Sequence, residues 1–377
     1  MPWKETTAMT ERSTFVEKAM GDKSNVSALC KEYEISRTTG YKWLRRYKEL
    51  GEEGLESRSR RPYYSPNQTP SEIEALILET RSQHPSWGGV KILAYLKRQG
   101  CLNLPAASTA TMILKRNGMI DPLESCKHVP MQRFERATPN ELWQMDFKGH
   151  FRLDQGRCHP LTILDDHSRF LLGLHACPNQ LWETVQCHLT HTFRTYGLPD
   201  RMLMDNGSPW GDDRYTPHTI LTAWLMRLGI AISHGRPYHP QTQGKDERLH
   251  RTFQAEVLNQ ASFHTLGDCQ IQFDSWRDFY NHERPHQALQ HSVPADHYHS
   301  SARPFPENLP PVMYEPGDIV RMVDQSGKIS FHNHVFRISK AFRYFPVAIR
   351  ATDTDGTYDV FFCSFNVAQI DIREDNS

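Results

Sequence analysis

Residues 142–148 read LWQMDFK. In an extended chain successive side chains point to opposite faces, so Trp143, Met145 and Phe147 line one face and Gln144, Asp146 and Lys148 the other. The first face is an apolar stripe for a core; the second presents Asp146. A second run, RMLMDNGSPWG at 201–211, is apolar up to Asp205 and breaks at Asn206-Gly207. That sets Asp205 at the carboxyl end of a strand, where open α/β sheets form their ligand crevices. CHPLTILDDHSRFLLGLHAC at 158–177 supplies further strand-like runs. Helices are predicted near 181–196, 217–229, 241–260 and 270–300, so residues 138–300 are expected to form a mixed α/β core.

A third acid comes from HGRPYHPQTQGKDERLHR at 234–251. On a helix from about Thr242, Leu249, Phe253 and Val257 form the apolar stripe. Asp246, seven residues before Phe253, lies close to that stripe. Glu247 falls on the polar side, beside His250, Arg251 and Gln254. Three carboxylates on separate elements repel one another unless a cation lies among them, and hard oxygen ligands suit Mg²⁺, with Mn²⁺ as a substitute. Two such ions about 4 Å apart serve phosphoryl transfer by activating the attacking oxygen and stabilising the leaving one. The cations around the acids would then neutralise nucleic-acid phosphates.

Outside the core the texture changes. Residues 11–50 read as three short helices with a turn at Glu34-Ile35-Ser36, the spacing of a helix-turn-helix. Val26, Leu29 and Tyr33 are expected on the inner face of the second helix, and Tyr41, Leu44 and Tyr47 or Lys48 on that of the third. From Ser36 to Lys48 there are five cations and no acid. Arg37, Thr38, Thr39, Lys42, Arg45 and Arg46 therefore have the profile of a DNA-reading helix. Arg58, Arg60 and Arg61 lead into a linker with prolines at 62, 66 and 70, suited to a phosphate backbone or minor groove. A second three-helix, winged or helix-turn-helix unit is expected from Thr69 to about 120. A proline-rich connection near 301–316 precedes alternating segments from Gly317 to Ile372, which read as a small all-β barrel. The expected domains are 1–62, 63–137, 138–300 and 301–377.

Lys plus Arg equals Asp plus Glu at 44 each, so basic charge is local and not global. No apolar run is long enough for a membrane span and the N-terminus lacks an apolar leader, so a cytoplasmic, nucleoid-associated protein is expected. The eight cysteines form no CxxC pair and read as reduced, mostly buried thiols. The ligand-type residues of CHLTH at 187–191 read as helix packing.

WQMDF, ILDDHSRF, DNGSPWG and HPQTQGKDERLHRTF together resemble the DDE transposases of bacterial insertion sequences, most closely the IS481 and IS3 groups, with retroviral integrases as more distant relatives. The resemblance implies a multi-domain chain: all-α helix-turn-helix modules, an RNase H-like α/β catalytic core and a C-terminal β module. Carried over by position, it assigns Asp146, Asp205 and Glu247 as the catalytic, metal-holding triad, and His239, Lys245, Arg248, His250 and Arg251 as DNA-facing neighbours. Asp165 and Asp166 match a family motif and are expected to be structural. Between Asp205 and Glu247 lie 41 residues, more than in the retroviral and IS3 pattern. The surplus fits an enlarged loop at SPWGDDRYTPHT, as in the IS481 group. The implied partners are double-stranded DNA (terminal inverted repeats and target) and further copies of the chain, with no membrane. The residues leave open a non-catalytic DNA-binding regulator and an RNase H-like nuclease.

Overall fold

A computed structural model describes residues 7–22, 24–58, 68–121, 136–211, 218–235 and 244–373. The chain divides into two compact units, residues 1–68 and 69–377.

The first unit packs α1 (Ala8–Ala19), α2 (Val26–Glu32) and α3 (Arg37–Leu50). Each helix starts at a polar cap: Thr7, Asn25 and Ser36 accept backbone N–H groups that would otherwise be orphaned. Phe15, Val16, Cys30, Trp43, Leu44 and Leu55 form its core, with Val26, Leu29, Tyr33 and Tyr47 packed against them. Tyr41 is 56% exposed, so the buried face of α3 is rotated from the expected one and runs through Gly40, Trp43 and Leu44. Gly40 explains the rotation, because a Cβ there would lie 2.5 Å from Cys30 Sγ and 3.0 Å from Phe15. Only glycine lets the helices approach that closely.

The second unit opens with α4 (Ser71–Gln83), α5 (Gly89–Arg98) and α6 (Ala107–Arg116) around Ile77, Trp87, Ile92 and Ile113. Its sheet is built from β1 (Trp143–Phe147), β2 (Phe151–Arg152), β3 (Arg157–Asp165), β4 (Leu171–Cys177), β5 (Arg201–Met204) and β6 (Ala231–His234). Along the sheet β4, β3, β1, β5 and β6 are neighbours, and β2 pairs with the start of β3. β1 runs antiparallel to β3 and parallel to β5, and β5 parallel to β6. Trp143, Met145, Leu161 and Ile163 cover one face against α7 (Trp182–Tyr196) and α8 (Ile220–Arg227). On the other, Leu164, Leu171 and Leu174 meet α9 (Gly244–Phe253), the π-helical turn Gln254–Leu258 and α10 (Leu266–His282). Both faces of β1 are therefore covered, and Gln144 is 1% exposed instead of facing solvent.

The helix expected over 270–300 ends at His282, because Pro285 follows and disfavours helical backbone before it. The C-terminal module is an antiparallel sheet in the order β12 (Phe365–Asp371), β11 (Thr357–Phe362), β10 (Pro346–Ala351), β7 (Ile319–Met322). A separate hairpin of β8 (Lys328–Phe331) and β9 (His334–Arg337) shares its core, which also takes Ala223 and Met226 from α8. This hairpin turns at His332 and Asn333, both at positive φ.

Candidate active site

β1 and β5 pair with Trp143 beside Met202 and Gln144 beside Leu203. Continuing that register by two residues sets Asp146 level with Asp205, on adjacent parallel strands at their carboxyl ends. Asp205 is exposed, and its Oδ1 accepts the Asn206 N–H at 2.8 Å. Asp146 has 30% of its side chain exposed. Burial and the nearby Asp205 charge push its carboxyl up to about 6, against the Phe147 N–H, which pulls it down.

His250, from α9, sits over Asp146, with Nδ1 3.9 Å from Asp146 Oδ2. Its Nε2 is 2.9 Å from Thr162 Oγ1, and the Thr162 hydroxyl donates to the Asp146 carbonyl at 3.0 Å. The Thr162 proton being committed, Nε2 must donate to Thr162, which leaves the Nδ1 lone pair toward Asp146. Burial and the Lys148 charge lower His250 to about 4, so its ring is neutral where it meets Thr162.

α9 presents its two acids differently. Asp246 is 3% exposed, whereas Glu247 keeps 55% of its side chain in solvent, 3.9 Å from Arg251 Nε. Burial, Asp146 and Asp166 hold Asp246 well above the ordinary carboxylate range, and its Oδ1 has no hydrogen-bond partner among the described residues. Lys245 also turns inward: its Nζ lies 2.6 Å from Asp166 Oδ1 and donates to the Asp166 carbonyl at 3.0 Å. The fully buried Asp166 takes further bonds from Gln144 Nε2 and the Arg136 N–H. Asp165 receives Asn140 N–H, Ser168 N–H and the Ser168 hydroxyl. Asp166 is thus a buried anchor for the start of α9, while Asp165 holds the backbone at Asn140 and Ser168.

The structure brings Asp146 together with Asp205 and, through its buried side, Asp246; Glu247 is not among the groups acting on Asp146. Among the described residues no three His, Cys, Asp or Glu side chains surround a common metal position. The donor chemistry nevertheless fits a divalent ion, since Asp146 and Asp205 are oxygen ligands on adjacent strand ends, and burial with the Asp205 charge raises the proton affinity of Asp146.

Of the other expected DNA contacts, Arg248 and Arg251 are exposed on α9, and Arg37, Thr38, Lys42, Arg45 and Arg58 are exposed in the first unit. Thr39 is half-buried and bonds the Ser36 cap, and Arg46 lies over the Trp43 ring at 5.1 Å. Arg60, Arg61 and His239 lie outside the described residues. Lys148, Arg152 and Arg157 form a group of cations just past Asp146 that the sequence reading did not single out as a site.

Domain models match across the chain: a helix-turn-helix domain over 11–63, a homeodomain-like domain over 39–114, integrase core domains over 136–240 and 228–294, and the IS481 family transposase C-terminal domain over 318–377. The chain is similar to an uncharacterised 31.7 kDa protein of insertion element IS407 from Burkholderia multivorans, 26% identical over 42% of this chain and 56% of the relative. It is also similar to the transposase of insertion sequence element IS904 from Lactococcus lactis, 24% identical over 44% of this chain and 64% of the relative. Each match spans less than two thirds of the relative's length. A structure of the HTLV-2 integrase catalytic core domain in complex with magnesium aligns over 43% of this chain and 99% of that one, with 12% identity and a TM-score of 0.34. Helix-turn-helix domains, an integrase-type RNase H-like core and a small C-terminal β module make up the chain. No helix among the described residues is long and apolar enough to cross a membrane.

Proposed function

We propose that this chain, whose matched domains fit a DDE transposase of the IS481/IS3 type, binds the terminal inverted repeats of an insertion sequence, cleaves a phosphodiester to expose a 3′-hydroxyl, and joins that hydroxyl to target DNA. Both steps are in-line displacements at phosphorus. Asp146, Asp205 and Glu247 would hold the divalent ions, two Mg²⁺ or Mn²⁺, which when bound activate the attacking oxygen and stabilise the leaving one. The observation that carries this reading is the level placement of Asp146 and Asp205 on neighbouring strands. His250 keeps Asp146 oriented through Thr162. The helix-turn-helix cations engage the repeat, and two copies of the chain hold the two ends together.

Glu247 completes the triad when DNA is engaged. It lies one residue from the buried Asp246, about 100° around the helix, so its approach to Asp146 requires a rearrangement at the start of α9. Loss of end cleavage on Asp205→Asn, with end-DNA binding retained, is the expected result. Undiminished cleavage would overturn the assignment. A second reading, a non-catalytic DNA-binding regulator, draws on the outward orientation of Glu247. Tight end binding with no cleavage or joining in Mg²⁺ or Mn²⁺ would favour it.

A further inference from the structure

Two of the residues expected to meet DNA at the core are committed elsewhere: Lys245 pairs with the buried Asp166, and His250 Nε2 is bonded to Thr162. Charge for an approaching phosphate must come from other side chains. Immediately past Asp146, along β1, a cleft of about 360 Å³ is lined by Lys148, His150, Arg152, Gln254, Ser262 and Phe263, among others, none of them acidic. Gln254 begins the π-helical turn that follows α9, so the cleft adjoins both the strand that carries Asp146 and the helix that carries His250.

The hairpin that walls this cleft carries a second observation. β2 and β3 pair with Arg152 directly opposite Arg157. Like charges in facing positions of an antiparallel ladder destabilise it. Among the described residues neither arginine, nor Lys148, makes an ion pair or a side-chain hydrogen bond, and the carboxylate of the hairpin turn, Asp154, is bonded to His264 Nδ1 at 3.0 Å. A hairpin with two arginines in facing positions, neither paired with its one acid Asp154, is suited to receive an anion from outside. The Arg fork matches phosphate oxygens, and repeated phosphates along a strand would engage the hairpin and the Lys148 end of the cleft together.

We propose that the β2–β3 hairpin and the adjoining cleft form a phosphodiester-binding surface that holds the DNA strand leading away from the reacting phosphate, with Arg152, Arg157 and Lys148 as its contacts. It rests on DNA as the substrate, as proposed above, but makes its own claim about which face the strand follows.

The test uses the full chain, without divalent ions so that no cleavage intervenes, and a duplex oligonucleotide of arbitrary sequence about three helical turns long. A p-benzoylphenylalanine at Gln155, in the exposed hairpin turn, is expected to photocross-link to the duplex. The same group at Tyr41, on the exposed face of α3, reports the helix-turn-helix module separately. The double variant Arg152→Ala/Arg157→Ala should abolish the cross-link at 155, leave that at 41, and lower the log–log salt dependence of binding by about 2, one released counterion for each lost contact. Cross-linking at 41 but not at 155, or an unchanged salt dependence in the double variant, overturns this surface alone. Cross-linking at neither position overturns the DNA-binding reading itself.

Discussion

Replacing Glu256 with glutamine probes the joint between the second helical module and the core. Glu256 lies in the π-helical turn after α9, with 7% of its side chain exposed, and its partner Arg284 has 8%. Its carboxylate accepts from Arg284 Nε and Nη2, from Trp87 Nε1 at 3.0 Å, from Trp276 Nε1 at 3.2 Å and from Ser86 Oγ at 3.2 Å. A neutral amide has one acceptor oxygen and points its own N–H groups at these donors, so Arg284 is left as a buried cation without a counter-charge. Breaking a buried pair in this way costs about 3–5 kcal/mol. At roughly 2–4 °C per kcal/mol for a large unit, thermal melting followed by circular dichroism at neutral pH should fall by about 10 °C. The pH dependence has a definite sign. Burial would raise the Glu256 pKa, but the Arg284 charge and hydrogen bonds, with help from Trp87 and Lys91, leave it below its ordinary value. A lowered folded pKa contributes stability above the unfolded value and loses it as pH falls through the folded one. The gap between wild type and Glu256→Gln should therefore narrow in acid. The paired variant Glu256→Gln/Arg284→Met should recover much of the loss, because it removes the unpaired buried cation while the amide oxygen can still accept an indole N–H. A single variant melting within about 2 °C of wild type, or a double variant less stable than the single, would refute the reasoning, since either outcome leaves no penalty for an unpaired buried arginine.

Glu247→Gln should reduce end cleavage by more than about a hundredfold, beyond the effect of an outer partner, while Asp246→Asn should cost less than about tenfold; a gel assay of cleaved ends compares them, and the reverse order would make Asp246 the third acid. Lys91, pushed down to about 7 mainly by burial and then by Arg284, binds its proton more weakly folded than unfolded. Its contribution to stability should therefore rise with pH from about 7 toward the ordinary lysine value, and Lys91→Met should flatten that part of a melting-temperature profile. In the native protein at mildly alkaline pH, iodoacetamide should label the exposed Cys187 and spare Cys158 and Cys177, whose thiols burial pushes far up, as peptide mass mapping would read.

Features that depend on neighbours in the chain were legible before any fold was known. Strand alternation and the break at Asn206-Gly207 located Asp146 and Asp205, and the helical stripe through Leu249 and Phe253 separated a buried Asp246 from an exposed Glu247. The three helices of the first unit followed from their periodicity and the turn before Ser36. The rotation of α3 was not legible, because it depends on how closely Gly40 lets Cys30 and Phe15 approach.

What the sequence alone determined is the elements that present Asp146, Asp205, Asp246 and Glu247, since period and breaks are properties of consecutive residues. Which charges remain available was decided only by the tertiary structure. Lys245 meets Asp166 across 79 residues, His250 meets Thr162 across 88, and Glu256 meets Trp87 across 169. In each case the field and the desolvation that set a side chain's charge come from atoms remote in sequence. Lysines and histidines that look alike in the chain therefore end as a buried counter-ion, a neutral ring or a free cation according to what the fold packs against them.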